Sequence, residues 1–397
     1  MALNQGMPLN LFAAELERQA QTKKDFLANA KALSVFMETS VLDAVANMNT
    51  INLDAIMAET GDRTSDRTVP LTPAQRLLLN MGPLGNFPMT ELFHRQMAEY
   101  LQIPKPYYDR MRSTLPNLLT ENINSWLAYK GEDRLIRTLD GNARAVLSPR
   151  YRCLDNFDLV TAILPPLQEN GARIISQSIT ENKLYIKALH PSLKAEIKVG
   201  DIVEAGVLIE NSETGMGRLL VCPFSYRLVC SNGMKHDVSG VKKTHLGGRI
   251  NPTGDGEIPE EWLRDETREA DDKALFMKVS DVVRASFNAT RFEQIVDKMR
   301  EAADRKIDTD PIKVVEVTAK RMLFSEAERT ATLTALLTGN ELTQWGLANA
   351  ITATAGSLTD YDRSTELEKT GAQIVELPKR DWEALLKEAS TTNAAAA

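Results

Sequence analysis

The sequence predicts an α+β protein, with helical regions at both ends and a central domain built on a mostly antiparallel sheet. Three observations carry this. Apolar residues recur at loosely helical spacing over the first sixty residues and again beyond position 260. Between them, strand-length runs alternate apolar and polar side chains, as in Leu184-Tyr185-Ile186-Lys187, which suits a half-buried antiparallel sheet. A tight-turn signal, Asp140-Gly141-Asn142, sits between two such runs and reads as a hairpin.

In chain order, Phe12, Leu16, Phe26, Leu33, Phe36, Leu42 and Ile51 predict helix from Leu9 to about Met57. The polar stretch from Gly61 to Thr68 reads as a linker. Thr72-Pro73 starts a further helix, with Pro at the first helical position. Short helices then run to Asn117, separated by Gly82-Pro83, Gly85-Asn86 and Pro104-Lys105-Pro106, and Leu118–Tyr129 is a helix stopping near Gly131. Leu135–Leu139 and Ala143–Leu147 form the hairpin, and Asp155–Leu167 is a helix whose end Pro165-Pro166 disturbs. Further strands are expected over 172–178, 183–189, 195–199, 202–209 and 218–230. Leu246–Pro259, rich in Gly, Pro and Asn, reads as a second linker. Trp262–Lys298 and Lys320–Leu337 are long amphipathic helices, and Asn340–Ala355 is an Ala/Thr-rich one. The organisation is therefore a helical region over 1–60, an α+β core over 71–250 and a helical region over 260–390.

At 397 residues the chain is long enough for two or three cores, since a single core rarely exceeds about 250–300 residues. Hydrophobic residues make up 43% and charged residues 25%, an ordinary globular mix. No apolar run approaches the roughly 20 residues that cross a bilayer, so no membrane role is expected. The residues from Met1 to Asn10 carry no secretory pattern. Cys153, Cys222 and Cys230 are too few for a disulfide scaffold and fit a cytoplasmic setting. Net charge is −7 overall, yet from Arg134 to Ile250 there are 16 Lys+Arg against 11 Asp+Glu, a local excess of +5. Such asymmetry points to an acidic partner for the middle of the chain, or to an acidic flank that covers it.

The basic block around Arg144, Arg150, Tyr151 and Arg152 has no acid between Ala143 and Leu154. Guanidinium groups bind phosphate bidentately and an aromatic ring stacks on a base, which is the vocabulary of single-stranded nucleic-acid binding. Lys183, Tyr185 and Lys187 would share one face of a following strand and extend that surface, with Lys194, Lys198, Arg218 and Arg227 on neighbouring strands. The same pattern also fits a solvated sheet face with Tyr151 anchoring the hairpin in the core. Cys222, Cys230, His236 and His245 are zinc-ligand types, but their spacings of eight and nine do not match the close pairs of structural sites, so no metal is expected. Glu196-Ile197-Lys198, with Asp158 or Glu181 upstream, has the acid-x-Lys shape of metal-dependent nucleases. Gly215-Met216-Gly217 precedes a strand and is no dinucleotide loop; no phosphate-binding G-x-x-x-x-G-K-[ST] loop and no G-x-S-x-G elbow occurs. Nothing in the sequence calls for a cofactor. With only His94, His190, His236 and His245, a histidine-based nucleophile has few options.

The stretch from Arg134 to Gly141, followed by Arg144-Ala145-Val146-Leu147-Ser148-Pro149-Arg150-Tyr151-Arg152-Cys153-Leu154-Asp155-Asn156, resembles the core of the phage/plasmid-like proteins classed as domain of unknown function 932. Leu101–Met111 resembles the segment leading into that core, and Val229-Cys230-Ser231-Asn232-Gly233-Met234 resembles its C-x-N-G strand end. Trp345–Thr352 with Asp360-Tyr361-Asp362-Arg363 resembles its closing helix. The resemblance covers about Leu101 to Glu368 and implies a bacteriophage, prophage or plasmid origin. It brings no established activity, hence no catalytic residues.

The expected function is a non-enzymatic accessory protein of phage or plasmid DNA metabolism that binds nucleic acid through a basic sheet face. Arg144, Arg150 and Arg152 would contact phosphates and Tyr151 would stack on a base. The alternatives are a metal-dependent nuclease using Glu196 and Lys198, or a host-interaction or decoy protein working through its acidic flanks. The long C-terminal helices leave room for a homo-oligomer under each.

Overall fold

A computed structural model describes residues 6–38, 76–229, 232–236, 241–243 and 265–391 of the chain. Contacts group the chain into a smaller unit, Gln19–Tyr151, and a larger one, Met1–Arg18 with Arg152–Ala397. The border falls inside the span 71–250 that the sequence suggests as one core. The fold is α+β, as expected.

In the smaller unit, two three-stranded antiparallel sheets are built from β1 (Lys24–Asn29), β5 (Asp133–Leu139) and β6 (Asn142–Leu147), and from β2 (Ser34–Met37), β3 (Leu77–Asn80) and β4 (Asn86–Pro88). Three helices accompany them: α2 (Glu91–Leu101), α3 (Lys105–Thr114) and α4 (Pro116–Lys130), with α1 (Leu9–Thr22) preceding β1. The β5–β6 hairpin turns at Asp140 and Gly141, both with positive φ, as a two-residue turn matching strand twist requires. Phe93, Met97, Leu119, Ile123, Leu127 and Ile136 form the heart of its core.

The larger unit is organised by an antiparallel sheet in the order β11-β10-β9-β8-β7, with β12 (Val241–Lys243) paired to β10. Its strands are β7 (Arg173–Ile179), β8 (Leu184–Lys198), β9 (Asp201–Asn211), β10 (Leu219–Arg227) and β11 (Asn232–Lys235). The strict period of two sends Leu184, Ile186 and Ala188 to one face. There they pack with Phe12 and Leu16 of α1, Leu159 and Ile163 of α5 (Asn156–Glu169), and Val279 and Val283 of α6 (Asp265–Ser286). Tyr185 and Leu189 go to the other face, against Tyr361 of α11 (Tyr361–Val375). The remaining helices, α7 (Ala289–Asp304), α8 (Pro311–Arg321), α9 (Glu326–Gly339), α10 (Gln344–Gly356) and α12 (Lys379–Thr391), share a core centred on Trp345, Leu347, Ile351 and Leu367.

Several elements differ from the sequence expectation. The helix expected from Leu9 to Met57 ends at Thr22, because Lys24–Asn29 pairs with β5, setting Phe26 opposite Ile136; residues 39–57 and the linker at 61–68 lie outside the described residues, as do Thr72-Pro73 and 246–259. Leu77, Leu78 and Leu79 are three successive buried residues of a strand, not a helix. The strands expected over 183–189 and 195–199 are one strand of 15 residues, with a register irregularity between Leu189 and Lys194 that accommodates Pro191. Trp262–Lys298 is broken at Asn288, whose side chain accepts from Arg291 N at 3.0 Å and starts α7 afresh. Lys320–Leu337 is broken at Leu323, held at φ 54°, and restarts with a Ser325–Glu328 capping box.

Candidate nucleic-acid interface

The open basic sheet face does not form. Tyr185 and Lys187 do share one side of β8, but that side lies under α11 and is dry. Tyr185 Oη donates to Asp362 Oδ1 at 2.7 Å, and Asp362 also accepts from Thr180 Oγ1 at 3.0 Å and Asn182 Nδ2 at 2.6 Å. Burial, with the Glu210 and Asp362 carboxylates, pushes the Tyr185 hydroxyl far above its usual range. Lys187 Nζ, fully buried, donates to Glu368 Oε1 at 2.7 Å and lies 4.8 Å from the Tyr361 ring centroid. Burial works against its charge, and the Glu368 carboxylate outweighs that and raises its pKa.

The neighbouring cations are engaged in the same way. Lys235 bonds Glu210, and Lys183 lies 3.8 Å from the same carboxylate. Lys194 pairs with Glu204, and Lys198 with Glu341 at 2.5 Å. Arg227 grips Asp201 through two bonds of 2.5 and 2.7 Å, and Trp345 Nε1 donates to the same carboxylate at 2.9 Å. The carboxylates come partly from the same sheet, as Asp201, Glu204 and Glu210, and partly from the acidic C-terminal flank, as Glu341 and Glu368.

The block from Arg144 to Arg152 divides between the units. Arg144 is buried in β6, Tyr151 is half-buried, and Arg150 is exposed. Arg152, in the larger unit, is held by Asp271 at 2.6 Å and by Asp272. Of these three arginines, Arg152 is ion-paired, Arg144 is buried, and Arg150 is exposed and makes no ion pair among the described residues.

The nuclease arrangement is not assembled. Glu196 Oε1 accepts from Gly200 N at 2.6 Å within its own turn, and Lys198 is committed to Glu341. Among the described residues, no three His, Cys, Asp or Glu side chains converge as metal ligands. Cys222 is buried as a hydrophobe, while Cys230 and His245 lie outside the described residues. No described helix is long and apolar enough to cross a membrane.

Two arrangements escaped the sequence reading. Ser225 Oγ lies 2.9 Å from His236 Nε2, and His236 Nδ1 lies 3.2 Å from Glu376 Oε1. This is the connectivity of a nucleophile, a base and an orienting carboxylate. Ser225 and His236 are buried, however, and the cavity beside Ser225 holds ≈ 10 Å³, room for about one water. The relay acts as a polar tie between β10, the chain after β11 and the end of α11. No sequence motif marks it, because the three residues come from elements that meet only in the fold.

The second is the outer face of α4. Leu115, the N-cap residue, is followed by Leu118, Trp126 and Tyr129, which at about 100° per residue fall within an arc of about 80°. They are 56%, 44%, 44% and 79% exposed, while Leu119, Ile123 and Leu127 fill the core on the inner side. Asn124 fixes that orientation: its Oδ1 accepts from Val35 N at 2.7 Å and its Nδ2 donates to Val35 O at 2.8 Å, along the edge of β2. Trp126 and Tyr129 meet edge to face, with centroids 5.9 Å apart and planes at 83°. Gly131, at φ 62°, ends the helix, and the Lys31 stem packs over it, so a side chain there would collide with that lysine. Lys130 lies over the Tyr100 ring at 4.9 Å. Neither Lys31 nor Lys130 makes an ion pair among the described residues. The signal in the sequence was one continuous apolar arc on this helix, wider than one core can bury.

No family model matches the chain, and no curated protein and no solved structure matches it.

Proposed function

We propose that this chain is an accessory protein of phage or plasmid DNA metabolism that holds single-stranded nucleic acid without processing it, and that it does so on the Gln19–Tyr151 unit. The observation that carries this reading is the contrast in how cations are used. In the sheet of the larger unit, Lys183, Lys187, Lys194, Lys198, Arg227 and Lys235 each face an internal carboxylate. In the smaller unit Lys105, Arg112, Arg134 and Arg137 are paired as well, but Lys31, Lys130 and Arg150 make no ion pair among the described residues, and Lys130 lies over the half-buried Tyr100 ring. Phosphate binding needs cations whose charge is not already neutralised, because affinity comes from releasing the counterions of the nucleic acid. The resemblance of Arg134–Asn156 and of the three other segments to the phage/plasmid-like family supplies the biological setting.

The test is fluorescence anisotropy of the full chain with a labelled oligothymidylate across a salt series. The expected result is binding at low salt whose logarithm falls linearly with log salt, by about 0.7 per phosphate contact for a single strand. No binding at the lowest salt, or a flat salt series, overturns the reading.

A further inference from the structure

Resting on that reading, we infer that the outer face of α4 is a base-stacking subsite, in which Trp126 and Tyr129 take unpaired bases and Lys31 and Lys130 take the adjoining phosphates. The ligand is therefore single-stranded DNA or RNA, recognised by its π-faces and its charge, with little sequence preference.

Three features of the face argue for this occupant. Tyr129 is 79% exposed and Trp126 44%, a large aromatic area left to solvent on a helix whose other face is fully buried. A monomer gains nothing from leaving such rings in water, and exposed aromatics on a fixed scaffold are what base stacking requires. The edge-to-face geometry at 5.9 Å and 83° makes each ring brace the other, so neither has to be ordered when a base arrives. The charge at this end of the helix is also complementary to a phosphate chain. Lys31 and Lys130 make no ion pair among the described residues, while the two carboxylates that follow α4 in the chain are engaged: Glu132 by Arg134 at 2.5 Å, and Asp133 by the Asn29 side chain at 2.8 Å. Bases in a duplex keep their faces inside the stack, so this surface selects single strands.

A protein partner would be expected to use the aliphatic end of the same stripe, Leu115 and Leu118, at least as much as the aromatic end. That becomes an outcome of the test.

The experiment is anisotropy of the full chain with a labelled oligothymidylate of about 15 nucleotides, competed with unlabelled duplex of the same length. It compares wild type with Trp126→Ala, Tyr129→Ala, Trp126→Phe and the double variant Lys31→Gln/Lys130→Gln. Lys31, Trp126 and Tyr129 are exposed and Lys130 is half-buried, and circular dichroism checks that each variant keeps its fold. Each alanine variant is expected to weaken binding by roughly 5- to 150-fold, the range spanned by one stacked base. Trp126→Phe is expected to keep most of the affinity, and the double lysine variant to reduce the salt slope by about 1.4. If wild type binds and the alanine variants bind equally well, the subsite is wrong while the proposed function stands. If wild type does not bind at all, the proposed function fails and the subsite with it. Better competition by duplex also overturns the inference. So does self-association that Trp126→Ala abolishes while oligonucleotide binding is unchanged, which would assign the face to a protein.

Discussion

Replacing Lys187 by methionine removes one half of an ion pair whose members are both buried, Lys187 at 0% and Glu368 at 1% exposure. The two are joined by contacts of 2.7 and 2.6 Å, and the surrounding Tyr361 and Phe224 rings admit no solvent to replace the lost ammonium. Lys187→Met leaves Glu368 to be buried as an unpaired anion or protonated at a cost, and breaking a pair of this kind costs about 3–5 kcal/mol. With an m value near ~3 kcal/mol/M in urea, the unfolding midpoint falls by roughly 1 to 1.7 M. The double variant Lys187→Met/Glu368→Leu removes both charges, keeps similar volume, and is expected to lie within about 1 kcal/mol of wild type or above it. Urea titrations followed by circular dichroism measure both. A single variant as stable as wild type would refute the reasoning, because it would mean that water reaches Glu368 and that the sheet face is open. The double variant serves a second purpose: it deletes a cation of the face that the sequence offered to nucleic acid, and its oligonucleotide binding is expected to match wild type.

Three other outcomes follow from local geometry. His94, buried beside Tyr108 with its Nδ1 2.9 Å from Oη, has its pKa lowered from 6.5 to about 4, by burial first and by the Arg112 charge second. The unfolded chain therefore binds more protons between those values. Stability from this group is complete above pH 6.5 and is lost progressively as pH falls to about 4, a total of about 3 kcal/mol, and His94→Gln should flatten that part of the pH–stability curve. Gly346→Ala would set a methyl 1.7 Å from the Glu341 carbonyl oxygen, a backbone clash expected to cost about 3 kcal/mol or to prevent folding, visible as a lowered midpoint or loss of soluble protein. His236→Ala removes the side-chain partner of the buried Ser225 hydroxyl and should cost about 1–3 kcal/mol, while Ser225 in wild type should stay unlabelled by a fluorophosphonate; labelling at Ser225 would make the relay a nucleophile and not a tie.

Fold class and most elements were legible in the sequence where the periodic signal was local and unambiguous. The Leu135–Leu147 hairpin, the helix over α5, the alternating first half of β8 and most of β9 follow from such signals, and the Asp140-Gly141 turn behaves as its composition requires. Errors arose where one spacing serves two structures. Phe26 and Leu33 fit a helical period as well as they fit strand and turn, and only pairing with β5 decides between them. The proposed interface failed for a different reason. That Lys183, Tyr185 and Lys187 share a side of a strand was readable from period two. Whether that side meets water or Asp362 and Glu368 depends on residues about 180 positions away. Charge asymmetry could not show that the neutralising carboxylates Asp201, Glu204 and Glu210 sit on the sheet itself and that Glu368 arrives with α11. The α4 face was written in the sequence as excess apolar residues, yet spacing alone could not say which part of that arc is buried.

The most direct test of the account is one titration series, oligothymidylate against wild type, Lys187→Met/Glu368→Leu and Trp126→Ala at matched low salt. The account predicts wild-type affinity for the sheet double variant and a loss of roughly 5-fold or more for Trp126→Ala. Loss of binding in the sheet variant with full binding in Trp126→Ala would contradict it, placing the nucleic acid on the sheet face under α11.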